Sequence, residues 1–229
     1  MITKTNFKEE LAKVNISLTD QMVKQFDLYF KLIDKYNKVM DLTAVDGEDE
    51  VYERHFYNSL SIAFNDDFNG LHLCDVGAGA GFPSIPLKIA FPEMKLTIID
   101  SLAKRMDFLK IVIKELGLKD VNIVVSRAED ASKKYQENFD IVTARAVARL
   151  NILVEIVSQL IKVDGTFIAM KGQKGNEELI EAKNALEVCN LTLYKQTSLE
   201  PSINYYFKKT KTIPSKYPRN YGQIKKKPL

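Results

Sequence analysis

The stretch Leu71-His-Leu-Cys-Asp-Val-Gly-Ala-Gly-Ala-Gly-Phe-Pro83 limits what this chain can fold into more than any other part of it. Leu71 to Val76 is a short apolar run that reads as a buried strand. Asp75 stands near its end, and three glycines follow at alternate positions, Gly77, Gly79 and Gly81. With no Cβ, glycine lets the backbone turn sharply and lets a ligand lie directly on it. Pro83 to Phe91 has helical spacing and stops before Pro92. A strand, a glycine turn and a helix start, in that order, make a nucleotide-type site at the carboxyl end of a parallel strand.

Beyond Asn69-Gly70 the same alternation continues. Lys95 to Asp100 is a second strand ending in an acid. Leu102, Met106, Leu109, Ile113 and Leu116 give the following helix one apolar face, and Gly117 ends it. Val121 to Val125 and Phe139 to Thr143 read as strands. Leu150, Val154, Val157 and Ile161 form another helix face, after which Gly165 is expected to turn into a strand over Thr166 to Met170. Asn176 to Cys189 is helical in pattern, and Leu191–Thr197 with Tyr205–Thr210 reads as a final antiparallel pair. Alternating β and α segments predict a Rossmann-like α/β fold, a mostly parallel sheet with helices on both faces.

Residues 1–65 are helical instead. Thr19 or Asp20 can cap a helix whose Met22, Phe26, Tyr29, Ile33, Tyr36 and Met40 share a face, a stripe expected to pack on the later domain. Asn37 to Val45 ends it, Asp46-Gly47 reads as a turn, and a second helix runs from about Glu50 to Phe64. The expected organisation is therefore an N-terminal helical extension over 1–65, a main domain over 66–212 and a basic tail over 213–229.

Composition bears on compartment and partners. No apolar run approaches the roughly 20 residues that span a bilayer, and the N-terminus lacks the order of a signal peptide. Cys74 and Cys189 lie in apolar runs and suit a reducing compartment as buried thiols, so a cytoplasmic, membrane-free protein is expected. The net charge of +3 hides an asymmetry, because eight of the 33 basic residues and no acid follow Pro201. The first 200 residues carry 25 basic against 30 acidic side chains. Such a basic end suits a polyanion partner or a solvated tail. Tyr217 and Tyr221 lie among those cations as candidate stacking platforms for unpaired bases. Lys104 and Arg105 open a helix, against its dipole, which suggests a phosphate partner or a solvated pair. Two histidines without carboxylate-rich spacing argue against a metal site or a serine triad.

The glycine turn discriminates between ligands. The dinucleotide fingerprint is G-x-G-x-x-G, whereas here the third glycine comes one position early. Phe82-Pro83 offers fewer free backbone donors to a pyrophosphate, since proline has none. Asp100 lies 19 residues past Gly81, at the end of the next strand, where an acid can accept from ribose hydroxyls. A ribonucleoside without phosphates and with an amino-acid tail is S-adenosylmethionine. A nucleotide-dependent oxidoreductase is disfavoured by the spacing.

Several separated segments then resemble one family. Asp75-Val-Gly-Ala-Gly-Ala-Gly-Phe-Pro-Ser-Ile-Pro86, Asp100-Ser-Leu-Ala-Lys-Arg105, Ser126-Arg-Ala-Glu129, Thr143-Ala-Arg-Ala146 and Met170-Lys-Gly172 are similar to successive motifs of the bacterial 16S ribosomal RNA guanine-N7 methyltransferases, also called glucose-inhibited division protein B. Tyr36-Asn-Lys-Val-Met-Asp-Leu-Thr43, Arg54-His55, Tyr217-Pro-Arg219 and Lys225-Lys-Lys-Pro-Leu229 resemble that family too. Ser84 stands where a glycine is common, and Arg219-Asn-Tyr-Gly222 is a looser version of the family's basic ending. The resemblance implies a class I S-adenosylmethionine-dependent fold with cofactor contacts at Gly77, Phe82, Ala128, Glu129 and Arg145; Gly79 and Asp100 follow from the general methyltransferase pattern. It implies a guanine of 16S ribosomal RNA, free or in the small subunit, as substrate; no metal is expected from the residues, and a monomer is expected. Guanine N7 is an unprotonated lone pair, so the enzyme's task is alignment and exclusion of water, with no general base. Arg145, at a strand end, suits a clamp on the methionine carboxylate, an RNA phosphate contact or a plain ion pair, and Lys171 ends the next strand similarly. Lys104, Arg105, Arg219, Lys225, Lys226 and Lys227 are the expected RNA contacts. Besides the nucleotide-dependent oxidoreductase, a second alternative is an RNA-binding module that keeps the fold without the activity.

Overall fold

The computed structural model describes residues 1–40, 42–44 and 47–229. Five strands, β1 (His72–Val76), β2 (Lys95–Asp100), β3 (Val121–Val125), β4 (Phe139–Arg145) and β5 (Ile161–Lys171), pair in parallel in the order β3-β2-β1-β4-β5. Two more, β6 (Leu191–Leu199) and β7 (Ser202–Lys209), extend the sheet as β5-β7-β6, with β7 antiparallel to both neighbours. The strand order reverses between β1 and β4. In open parallel sheets the crevice outside the carboxyl ends of such a pair is where ligands bind.

Side-chain alternation along the strands builds a core on each face. Leu73, Leu96 and Ile98 join one cluster, while Cys74, Val76 and Ile99 join the other. The first cluster is covered by α5 (Ser84–Ala90), α6 (Ala103–Glu115) and the N-terminal helices. Those are α1 (Phe7–Ala12), within the stretch expected to be helical, and α2 (Asp20–Met40), whose stripe buries Phe26, Tyr29 and Ile33 as expected. The second cluster is covered by α8 (Leu150–Val157) and α10 (Lys183–Val188), with Ile213 and Ile224 from the chain end.

Some elements differ from the sequence reading. The second helix starts as α3 (Glu48–Val51), passes through a π-helical segment (Tyr52–Tyr57) and α4 (Asn58–Leu60), and ends in a 3-10 turn (Ser61–Ala63). Gly165 makes no turn: β5 runs straight through it, beginning at Ile161, which was expected on a helix face. A Cβ at Gly165 would lie 3.0 Å from the Asp140 carbonyl and 2.9 Å from that of Lys162, so the glycine admits a close backbone approach at the irregular register of β4. The expected helix over 176–189 is interrupted at Ala182 into α9 (Gly175–Glu181) and α10. Asn37 holds the loop after α2, accepting from the Thr43 N–H and donating to its carbonyl, both at 2.9 Å. Asp41, Val45 and Asp46, which belong to the expected loop and turn, lie outside the described residues. No described helix is long and apolar enough to cross a membrane.

Candidate active site

Two cavities open side by side at the carboxyl ends of the parallel strands. The first, about 300 Å³, is lined by Gly77 after β1, Asp100 at the end of β2, and Ala128 and Glu129 in α7 (Ala128–Ala131). Four of the expected cofactor residues thus meet around one space. Gly77 has a φ of +72°, and a Cβ there would lie 2.6 Å from Val147 Cγ2. Only glycine suits both the backbone and the space. Asp100 is held by two backbone donors, Leu102 N–H on Oδ1 at 2.9 Å and Gly79 N–H on Oδ2 at 3.3 Å. Gly79 therefore acts by setting the acid. Glu129 Oε1 is buried without a hydrogen-bond partner, 4.0 Å from Arg127 Nη1. A buried acceptor left open in a cavity is a site for a ligand's donor.

Phe82 and Arg145 do not line that space. The Phe82 ring packs flat against His55, centroids 4.5 Å apart, with Tyr29 and Phe56 also in contact and the Arg145 guanidinium over its face at 5.6 Å. Arg145 turns its fork toward the π-helical segment and its continuation. It donates to His55 Nδ1 at 2.8 Å, to the Arg54 carbonyl and Asn58 Oδ1 at 3.3 Å each, and to Ser59 Oγ at 3.4 Å. Since Nδ1 receives the guanidinium, His55 carries its proton on Nε2, which bonds Thr43 Oγ1 at 2.6 Å. Burial, and then the charges of Arg145 and Arg54, push the imidazole pKa down to about 3. A π-helical turn re-aims side chains that a regular helix would send elsewhere, and here it brings His55 and the Arg54 carbonyl to one guanidinium. These partners lie about ninety positions from Arg145 in the chain, and no local pattern announced them.

Asp75, fully buried, accepts the Ser84 N–H at the start of α5 at 3.2 Å, and burial raises its carboxyl to about 7. This acid near the end of β1 thus holds the helix start through Oδ2, while its Oδ1 is buried without a hydrogen-bond partner and lines neither cavity.

The second cavity, about 450 Å³, lies on the far side of Ala146-Val147, which lines both. Its polar lining includes Arg145, Asn58, Lys171 and Glu178. Ala146 has a φ of +57°, a left-handed conformation costly for a residue with a Cβ, so the partition between the cavities is a strained turn. Lys171 ends β5 and is buried, with its ammonium on the Ala148 carbonyl at 2.6 Å and on Glu178 Oε2 at 2.7 Å. Glu178 was not singled out from the sequence; α9 carries it in, seven positions past Lys171, with nothing in that spacing to mark it.

The basic residues divide. Lys104 is exposed, near the Val39 carbonyl at 3.4 Å. Arg105 lines the first cavity instead of an open face. Arg219 is taken up by Glu155, a fully buried carboxylate of α8, through Nε at 2.8 Å, Nη2 at 2.6 Å and its own N–H at 2.9 Å. Lys209 is buried on Glu137 and the carbonyls of Ser158 and Ile161. Lys225 and Lys226 are exposed on α11 (Tyr221–Lys226) and Lys227 is exposed just past its end, where a basic tail is expected from the sequence. Its Ile224 is buried, and Asn220 caps it by accepting the Gln223 N–H. Tyr221, expected as an RNA stacker, lines the first cavity with Arg127 over its ring at 5.0 Å.

Comparison with known proteins adds family to geometry. The family model described as rRNA small subunit methyltransferase G matches residues 22–204. The ribosomal RNA small subunit methyltransferase G of Lactobacillus helveticus is 49% identical over 96% of each chain, and that of Staphylococcus aureus 46% over 96% of each. Among solved structures, a SAM dependent methyltransferase from Aquifex aeolicus has a TM-score of 0.54 at 17% identity, covering 80% of this chain and 97% of that one. M. jannaschii TYW2 in complex with AdoMet has 0.55 at 18%, covering 68% and 76%. The structural likenesses carry the class I methyltransferase fold. The extended sequence identity carries more: this chain belongs to the rRNA small subunit methyltransferase G family.

Proposed function

We propose that the chain methylates N7 of a guanine in 16S ribosomal RNA, with S-adenosylmethionine in the first cavity and the base in the second. The observation that carries this is the pairing of the two cavities across Ala146-Val147. The first fits a ribonucleoside: Asp100 is pinned as an acceptor for ribose hydroxyls, and the unpartnered Glu129 oxygen is available to a donor of the cofactor. When bound there, S-adenosylmethionine supplies a sulfonium methyl as electrophile. With that donor held beside it, the guanine N7 lone pair would take the methyl directly, and N7 carries no proton that a base would have to remove.

The residues around the second cavity suit a reaction without a base. His55 has both ring nitrogens engaged, and Lys171 and Glu178 are paired with each other. The work left to the chain is alignment and exclusion of water. Arg145, turned to the second cavity, supports the acceptor side in this reading, not the methionine carboxylate. Exposed Lys104 and Lys225 to Lys227 meet RNA phosphates, while Arg219 is committed to Glu155. The enzyme acts as a monomer in the cytoplasm, on 16S RNA or the small subunit that contains it.

The test is methyl transfer from labelled cofactor to small-subunit RNA from cells lacking this protein. Borohydride reduction and aniline treatment cut the chain at N7-methylguanosine and leave unmodified guanosine intact. A single labelled cleavage site is expected; labelled RNA that resists cleavage overturns the N7 assignment.

A further inference from the structure

We propose that Glu178, with Lys171 beside it, reads the Watson–Crick edge of the target guanine and so aims N7 at the methyl donor; the inference rests on the second cavity being the acceptor site. Glu178 is the one carboxylate among the described residues lining that cavity. Its Oε2 receives both the Leu150 N–H at 2.8 Å and the Lys171 ammonium at 2.7 Å. Those contacts fix the carboxylate and leave Oε1 for a ligand. The pair is largely sheltered, with side-chain exposures of 7% for Lys171 and 16% for Glu178. Lys171 is fixed in turn by the Ala148 carbonyl, beside the turn that separates the cavities.

Lys171 and Glu178 together present a donor next to an acceptor. Guanine carries the matching sequence on one edge: O6 accepts, and N1–H and the N2 amine donate side by side. Adenine offers an amine to the lysine and a lone pair to the carboxylate, wrong at both positions. Uracil has one ring N–H but no neighbouring amine, and cytosine has none. A sheltered carboxylate therefore selects guanine by what it would leave unpaired with any other base. In the purine, N7 lies on the five-membered ring, away from N1 and N2. Gripping the N1/N2 edge at α9 leaves N7 free on the other side of the base, for the partition shared with the first cavity. The cavity is roomy enough for a purine at about 450 Å³. Methylation also leaves a positive charge on the ring, and Glu178 is the anionic group in a lining that otherwise carries Arg145 and Lys171.

The test uses 16S RNA assembled by splinted ligation with inosine in place of the methylated guanosine. Inosine keeps N7, O6 and N1–H and lacks only the N2 amine. The full-length enzyme is expected to lose roughly ten- to a hundredfold in kcat/KM on inosine, the usual worth of one well-made base-edge contact. Glu178→Gln should lower kcat/KM on guanosine by a similar factor and bring the guanosine-to-inosine ratio toward one. Its affinity for S-adenosylmethionine should stay within twofold, because Glu178 does not line the first cavity. If the wild-type enzyme methylates inosine at N7 as well as guanosine, the inference fails while the reaction stands. If Glu178→Gln keeps the wild-type ratio, Glu178 is only the partner of Lys171. A methyl group mapped away from N7 overturns the reaction and the inference together.

Discussion

His55 is an imidazole that the fold keeps neutral, and its chemistry sets a limit on acid stability. Arg145 donates to Nδ1, so a second proton would place a cation against a guanidinium in a buried site. The folded ring holds its proton only below about 3, against an ordinary value of 6.5. Between those values the unfolded chain binds a proton that the folded chain does not, so His55 costs stability as pH falls from 6.5 toward 3. His55→Asn keeps an acceptor for Arg145 and does not titrate. Its melting temperature relative to wild type should therefore rise as the pH is lowered from 7 to 4, by differential scanning calorimetry. A constant difference would mean that the ring protonates freely. Asp75 runs the other way, since its carboxyl is held protonated up to about 7 and the unfolded chain ionises from 3.8. Site residues differ in how legible they were. The glycine turn with Gly77, and Asp100, could be read because they sit at or just past a strand end, where the fold gathers them, whereas Ala128 and Glu129 were implied only by the family resemblance. The neutrality of His55 depends on Arg145, ninety positions away, and nothing in its own neighbourhood encodes it.

At the scale of elements, α11 shows what charge patterning leaves out. A run of cations with no acid reads as a solvated arm, yet the acid that organises it, Glu155, lies in α8. Arg219 and Ile224 dock the helix and set Tyr221 at the first cavity, so one short element faces that cavity and carries exposed Lys225 and Lys226, with Lys227 just past its end. Arg219→Ala leaves Glu155 buried and unpaired, and should cost about 3 kcal/mol in urea unfolding. Adding Glu155→Gln should recover part of that loss; no recovery would mean that the ion pair is not the anchor. Separately, replacing Lys225, Lys226 and Lys227 by Gln should reduce the slope of log K against log salt for RNA binding by about two, at roughly 0.7 per phosphate contact on single strands. Cofactor affinity should not follow. An unchanged slope would return those lysines to the solvent. Gly165 makes a related point, because a glycine in an apolar run serves a turn or a close backbone approach equally, and only the neighbouring strand decides.

For the whole molecule, the parallel sheet and its final antiparallel pair were legible in the alternation of apolar strands and amphipathic helices, but the order of the strands was not. What the alternation did not contain is how deeply the first 65 residues enter the main domain. Phe26, Tyr29 and Phe56 share one core cluster with Leu73, Ile85, Leu96 and Ile98. The Tyr29 hydroxyl donates to the Ala80 carbonyl at 2.7 Å, inside the glycine turn, and Arg145 finds its partners in the π-helical segment. The N-terminal helices therefore cover the sheet's first face and lend Asn58 to the second cavity. A chain lacking residues 1–65 would expose that face and leave a buried guanidinium without its acceptors. It should bind a hydrophobic dye, give poorly dispersed amide proton signals and melt without a cooperative transition. A sharp calorimetric transition, with cofactor affinity near that of the full chain, would instead mean that residues 66–229 fold on their own and that the shared core is an interface between two separable units.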